Sequence, residues 1–557
     1  MQNNNLNRKN IVYRYAMKGR IWNFFILTVP FSVCFMLLIY APLELLFGNQ
    51  LEFNYNMYEL LAYMIPVLLA FFIILAALLL WLKKKVQKVY FAALPVILGV
   101  LLASYLQGSF FSGNLPPLDG RTIQWEDYAS QRWISIALYG VIIIAFIVLW
   151  KKLEKSKSEK LAAVLSFVLV LIMGLSLLLS CVMSGGYHRN KVIVHSDSGL
   201  LDMADKQPNL VIFLMDAVDG ESFQEVMQYH PEYESVFEDF TFFSNVTSGY
   251  PYTSRSIPFI LSGYWYENDE SYESYCRKSF EESPLFQGLN RKGYRMGMYD
   301  PEFSFITSLD GKFENISGKS SLVYPFRFIQ MQLKMAGYRY FPYDLKKMCY
   351  MTPEEIYLAS VKSNGEDQYY SMDNMEFLER LKEKQVVYSD APCFRYIYIR
   401  GAHEPFIYEA QSEYIKDSSY ESSIELCATI ADTYLQKLKE ADVYDNTAII
   451  ILADHGYADD NASFGRQNPF LLVKGIGEKH AFTISDISVS HEELQGVYSN
   501  LLEGMKADEA VTEFSGERRY MFFEYGEENH MVEYRIVGHA DNEAEMIATG
   551  RVFDYNG

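Results

Sequence analysis

The sequence predicts a five-span α-helical membrane domain followed by an α/β domain whose central sheet is mostly parallel and flanked by helices. Three observations carry this. The first third of the chain holds five long apolar runs, the charge balance reverses beyond them, and short apolar strands then alternate with amphipathic helices. At 557 residues the chain exceeds what one hydrophobic core serves, so at least two units are expected.

The runs lie at residues 22–47, 57–82, 89–111, 133–150 and 161–184. Each is near or above the length of about 20 residues that crosses the hydrocarbon core of a bilayer. Arg8, Lys9, Arg14, Lys18 and Arg20 precede the first run. Lys83, Lys84, Lys85 and Lys88 follow the second, and Lys151, Lys152, Lys155, Lys157 and Lys160 follow the fourth. Every Lys-rich segment therefore falls on one side, which the positive-inside rule makes cytoplasmic. Five spans then place everything after Gly185 outside. No small-residue cleavage site closely follows the first run, so it reads as a retained anchor. Glu44 and Glu59 lie near the outer ends and no charge sits mid-run, which speaks for anchoring and against a proton relay or transporter. The expected organisation is a membrane domain over 1–184, a polar linker over 185–207 and an extracytoplasmic domain over 208–557.

Residues 1–184 carry 16 Lys+Arg against 8 Asp+Glu, a net of +8, and the remaining 33 against 61 give −28. No nucleic-acid partner is expected of so acidic an outer part. The six cysteines, Cys34, Cys181, Cys276, Cys349, Cys393 and Cys427, show no metal-ligand spacing and require no disulfide.

The central stretch of the outer part is Thr447 to Tyr457, TAIIILADHGY. Its β-branched run reads as a strand buried on both faces, ending abruptly in Asp454, His455 and Gly456. Asn209 to Met215 is a second such strand, ending in Asp216. Between and around them the pattern predicts a helix at 221–229, an extended segment at 240–243, a helix at 253–261, a helix and strand at 285–299, a strand at 394–399 near His403, a helix at 421–438 and a strand at 470–473. Residues 324–350 mix aromatic and basic side chains, which suits either a surface touching lipid headgroups or an ordinary packed insertion.

Strand carboxyl ends share one edge of an open α/β sheet, so Asp216 and Asp454 can converge although 238 residues apart. Thr253 would open a helix, where unpaired amides and the dipole favour an anion. Two Asp, one His and a Thr oxygen can hold a divalent metal that lowers the hydroxyl pKa and makes it a nucleophile toward a phosphoryl group. Taken singly, Asp216 could be a helix cap, Thr253 an ordinary N-cap with Ser254 and Ser256 as rival nucleophiles, and His403 a surface turn. His188 and His491 are singled out by nothing.

Four motifs occur in order: PNLVIFLMD (Pro208–Asp216), TSRSIP (Thr253–Pro258), HEPF (His403–Phe406) and ADHG (Ala453–Gly456). In them the outer domain resembles the alkaline phosphatase/sulfatase superfamily. With its five spans the chain looks like the lipoteichoic acid synthases and lipid A phosphoethanolamine transferases. The resemblance implies an alkaline phosphatase-like fold and one divalent metal (Mn, Zn or Mg) on Asp216, Thr253, Asp454 and His455. It further implies Thr253 as nucleophile and His403 against substrate or leaving group; Arg466, in the segment after ADHG where this chain departs from the family, reads instead as a phosphate or leaving-group contact. Ile260 stands where a sulfatase's C/S-x-P-x-R motif would need Arg, so a sulfatase is not expected. No His follows ADHG where relatives carry a second metal ligand.

An extracytoplasmic transferase has no ATP and needs an activated donor. The expected function is a metal-dependent phosphotransferase in the cell membrane. It would move glycerol phosphate or phosphoethanolamine from a membrane phospholipid to an envelope glycan or lipid through a phospho-threonine. The alternatives are a phosphodiesterase of the same superfamily and a catalytically silent domain that binds envelope polymer.

Overall fold

The computed structural model describes residues 26–50, 53, 55–112, 123, 125–188, 193–317, 325–352, 355–356, 359, 369–406, 418–458, 464–524 and 526–555. The chain divides into two units: Met1–Lys191 with Ser321–Lys362, and Val192–Ser320 with Ser363–Gly557.

In the first unit the apolar runs become five helices long and apolar enough to cross a membrane: α1 (Thr28–Gly48), α2 (Met57–Lys85), α3 (Gln87–Phe110), α4 (Ala129–Lys152) and α5 (Lys155–Met183). Within α1, Met36–Tyr40 widens into a π-helical turn just before Pro42, which has no amide hydrogen to give. A capping box of Asn56 and Glu59 starts α2, and Lys83, Lys84 and Lys85 close it against the negative end of the helix dipole.

This unit also takes in a helix from far along the chain, Pro325–Tyr340. Its apolar face, with Phe328, Met331, Met335 and Tyr340 buried, packs on the ends of the spans remote from the Lys clusters. The Phe328 ring meets Tyr55 at 4.9 Å and Tyr63 at 5.4 Å. Gln332 donates to Tyr55 Oη at 2.7 Å, and Arg339 pairs with Glu44 at 2.6 Å. Gly108 leaves room for the Tyr340 ring, which any Cβ there would strike. The packed-insertion alternative thus describes one face of this segment.

The second unit is built on a seven-stranded sheet: β1 (Asn209–Met215), β2 (Thr241–Phe243), β3 (Arg295–Tyr299), β4 (Cys393–Ile399), β5 (Thr447–Leu452), β6 (Leu471–Lys474) and β7 (Thr483–Ser485). Their order is β7-β2-β6-β5-β1-β4-β3. Only β6 runs against the others, pairing antiparallel with both β5 and β2. β1 and β5 lie side by side in parallel, Asn209 opposite Thr447 through Leu214 opposite Leu452.

Alternation divides the core into two layers. Leu210, Ile212, Leu214, Ile450 and Leu452 face the helices Thr253–Ser262, Pro284–Arg291 and Leu494–Leu502. Val211, Phe213, Met215, Ile449 and Ile451 face Gly220–Tyr229, Asn374–Glu383 and Tyr420–Glu440. Such double burial is why these strands read as unbroken apolar runs. Each fully buried Leu, Ile or Phe contributes roughly 1.5–3 kcal/mol.

The linker expected at 185–207 is corrected from residue 193 onward. Ile193, Leu200, Leu201 and Met203 are buried, Val194–His195 pairs with Ile316–Ser317, and Asp202–Ala204 pairs with Val387–Ser389. Asn209 holds this segment down. Its amide donates to Ala204 O at 2.9 Å and to Thr447 Oγ1 at 3.3 Å, while its oxygen accepts from Ala204 N at 2.9 Å and Cys393 N at 3.1 Å. Asn209→Ala should therefore lower the unfolding free energy by about 3 kcal/mol, because two buried amides, Ala204 N and Cys393 N, lose this acceptor. Urea unfolding of the full chain in detergent measures this, and a shift below about 1 kcal/mol would show the clamp to be dispensable.

Candidate active site

Parallel register sets the site. The offset that pairs Leu214 with Leu452 also brings Asp216 level with Asp454, each just past the end of its strand. Asp216 is fixed by its backbone: its amide donates to Ile399 O at 3.2 Å, and its carbonyl accepts from Ala402 N at 2.8 Å. Gly401 makes the approach possible. It sits at φ 61°, and a Cβ there would run into the main chain of Met215 and Asp216. On the other side Tyr420 Oη donates to Ala217 O at 2.7 Å, pinning the turn that leaves β1.

The side chains then converge. Tyr398 Oη donates to Asp216 Oδ2 at 2.7 Å, and Ala217 N donates to Asp454 Oδ1 at 3.2 Å. The other oxygens, Asp216 Oδ1 and Asp454 Oδ2, are buried without a hydrogen-bond partner among the described residues. Both face His455 Nε2, at 3.7 and 3.4 Å. His455 Nδ1 lies 2.7 Å from Gly456 O, which fixes the proton on Nδ1 and leaves a lone pair on Nε2. Thr253, the first residue of its helix, holds Oγ1 3.5 Å from both Asp216 Oδ2 and His455 Nε2.

These separations are too long for firm hydrogen bonds. They suit ligands sharing an ion: two donors each about 2.1 Å from a tetrahedral centre stand roughly 3.4 Å apart. Charge argues the same way. Burial and the neighbouring Asp454 carboxylate push Asp216 well above the usual carboxylate range, while burial lowers His455 against the pull of Asp454. Asp216, Asp454 and His455, with Thr253 beside them, fit a divalent cation.

The Sulfatase family model matches residues 208–482. This stretch is a Sulfatase-family domain. Solved structures similar to the chain include a protein in the alkaline phosphatase superfamily from Vibrio parahaemolyticus, at 14% identity, with 64% of this chain and 87% of that one covered and a TM-score of 0.38. Another is the C-terminal periplasmic domain of EcEptC from Escherichia coli in complex with Zn, at 14% identity, 63% and 93% coverage and a TM-score of 0.33. A search of curated proteins returns no match.

In the Sulfatase domain the two rivals of Thr253 are placed differently. Ser256 is buried and donates to Tyr250 O at 3.1 Å, and Ser254 Oγ accepts from Arg255 Nη1 at 3.1 Å. His403 lies in the turn after β4, its Nδ1 2.7 Å from Glu404 O. Desolvation, with Arg400 next, pushes its pKa down to about 3, and His455 and Arg466 also act on it. Arg466 lies 5.0 Å over the Tyr252 ring, and its carbonyl accepts from Gly456 N at 2.8 Å. The fold thus gathers all six residues singled out from the sequence around one strand-end edge.

It also recruits residues that sequence reading passed over. Tyr398 could have been found, since alternation along β4 puts it on the face of Phe394 and Tyr396. His491 was set aside, yet it is 1% exposed and neither ring nitrogen has a hydrogen-bond partner among the described residues. Burial pushes its pKa to about 3, and Asp454 and His455 are the ionisable groups acting on it. Its own segment, around Ser490, gave no such signal.

Asp454→Ala and His455→Ala should each strip metal from the protein, while Tyr398→Phe should weaken metal binding about 10–100-fold. Metal content by plasma mass spectrometry, with circular dichroism to check the fold, reads all three. Parent-like metal content in both ligand variants would put the ion elsewhere.

Proposed function

We propose that this chain is a membrane-anchored, extracytoplasmic phosphotransferase that moves a phospholipid headgroup phosphate, glycerol phosphate or phosphoethanolamine, to a hydroxyl of an envelope glycan or lipid. The observation that carries it is the Thr253 hydroxyl at a helix N-terminus, 3.5 Å from two members of a buried Asp-Asp-His cluster. Ile260 supports transfer through threonine over sulfate-ester chemistry, which needs a different nucleophile and an Arg at that position.

A divalent cation held by Asp216, Asp454, His455 and the Thr253 oxygen would supply Lewis-acid chemistry, acidifying the hydroxyl and offsetting phosphoryl charge. In the first step Thr253 Oγ1 bonds to phosphorus and the phosphorus–oxygen bond to diacylglycerol breaks, the threonine proton ending on that oxygen. Amides at the start of the Thr253 helix and the Arg466 guanidinium face the phosphoryl oxygens. In the second step the acceptor oxygen bonds to phosphorus, and the Thr253 oxygen leaves and regains a proton. With its Nδ1 proton directed at Glu404 O, His403 presents an Nε2 lone pair suited to receive the acceptor proton.

Placement outside rests on two supports. Lys-rich span ends alternate with ends that carry none. The helix Pro325–Tyr340, flanked in sequence by the two parts of the catalytic unit with no span between, packs on the Lys-free ends.

Parent protein given labelled phospholipid without acceptor should trap the label on Thr253, read by mass spectrometry. Thr253→Ala should lose turnover by a factor on the order of 10³ or more while still binding donor, and Thr253→Ser should keep part of it. Turnover in Thr253→Ala with no adduct in the parent would favour direct hydrolysis instead. For His403→Gln the expected loss is about 10²–10⁴-fold and constant from pH 5 to 8 in kcat/KM, because a histidine held near pKa 3 stays neutral across that range. A loss that appears only above pH 6.5 would mean that His403 titrates normally.

A further inference from the structure

The Pro325–Tyr340 helix and the residues after it expose several large apolar side chains. Phe326 is 79% exposed and Leu333 36%, and the residues that follow add Leu345 at 44% and Met348 at 76%. Arg327, Lys334 and Lys347 are interleaved with them. Elsewhere in the segment Arg339 pairs with Glu44, Asp344 with Arg132, and Lys346 donates to the carbonyls of Tyr338 and Arg339 at the end of the helix. The exposed apolar side chains are thus interleaved with basic ones.

Its depth can be read from its partners. Counting about 20 residues back from Lys83 along α2 puts the outer hydrocarbon boundary near Tyr63, and the same count from Lys151 along α4 ends near Arg132. The segment is tied at this level. Phe328 packs on Tyr63, Arg132 pairs with Asp344 at 2.8 Å, and Tyr343 N donates to Ser135 Oγ at 3.1 Å. The Lys347 ammonium lies 5.5 Å over the Trp125 ring, and Trp133 stands 68% exposed beside the same boundary. Aromatic rings gathered at one level of a membrane protein mark the headgroup interface. Phe326, Leu333 and Met348 are exposed on a segment tied at that level.

We propose that residues 326–348 form a lipid-binding platform in the outer headgroup layer. Phe326, Leu333 and Met348 enter the acyl boundary, and Arg327, Lys334 and Lys347 hold phospholipid phosphates. The occupant is membrane phospholipid, and anionic headgroups are favoured, each basic side chain adding about fivefold near an anionic surface. The inference rests on the spans and their topology and not on the metal cluster, so the platform stands or falls independently of the proposed reaction.

The test uses the full chain in lipid nanodiscs, with spin labels on F326C, L333C and M348C, a label on Y229C as the aqueous control, and the unsubstituted chain to subtract labelling of native cysteines. Tyr229 is 81% exposed on the other unit. At positions 326 and 348 relaxation by oxygen should exceed relaxation by a nickel chelate, with the reverse at 229. Nickel access at 326 and 348 equal to that at 229 would overturn the proposal. In the second arm R327E/K334E/K347E should retain at least tenfold less phosphatidylglycerol than the parent when purified from mixed phosphatidylglycerol and phosphatidylcholine. Equal retention would overturn the phosphate-holding role. Neither readout involves turnover.

Discussion

Two carboxylates buried side by side, Asp216 and Asp454, impose a constraint that the rest of the catalytic unit answers. Like charges a few ångströms apart in a low-dielectric interior cannot both remain ionised without a counter-charge. Among the described residues, a hydroxyl from Tyr398 and an amide from Ala217 donate to the carboxylates, which offsets part of this charge without supplying a counter-ion. The oxygens they leave untouched are those turned toward His455 Nε2. A divalent ion held there would offset this deficit, and its binding would then be linked to stability. The surrounding structure holds the two acids in place against their repulsion. Register locks the strands, Tyr420 pins the exit of β1, and Gly401 lets β4 close in from the far side.

The Thr253 hydroxyl is positioned with less force. Thr253 touches the cluster at 3.5 Å and owes its place to being first in a helix whose following residues are buried. His403 and Arg466 come from turns beyond β4 and β5. Carboxylates and imidazole on the rigid strand ends, with His403 and Arg466 on the turns, is a division suited to an α/β sheet, where strand ends fix and loops adapt.

How far the sequence made this legible depends on the range of the interactions. Asn209–Met215 and Thr447–Leu452 could be read because strands buried on both faces leave unbroken apolar runs that stop at a polar residue. Asp216, Asp454 and His455 are those stops. The reversed direction of β6 was hidden, since Phe470 to Val473 has the same apolar texture whichever way it runs. Residues 193–204 looked like linker because their contacts, with Ile316–Ser317 and Val387–Ser389, lie over a hundred residues away. His491 escaped for the same reason: isolated in sequence, it acquires meaning only from the helix and strand ends packed round it. The segment 325–348 was readable by composition but not by place, because only the fold puts Glu44 and Tyr55 beside Arg339 and Gln332.

The chain passes from the membrane unit to the catalytic unit, returns for residues 321–362 and leaves again. The enzyme half is therefore not modular in the ordinary sense. No single fusion point could graft it onto another anchor, and recombination between relatives would have to exchange two separated segments together. A fragment starting at residue 192 would carry Phe328, Met331, Met335 and Tyr340 into water without the spans that cover them. A soluble form of this enzyme calls for excision of the loop from inside the catalytic sequence as well as removal of the five spans before it.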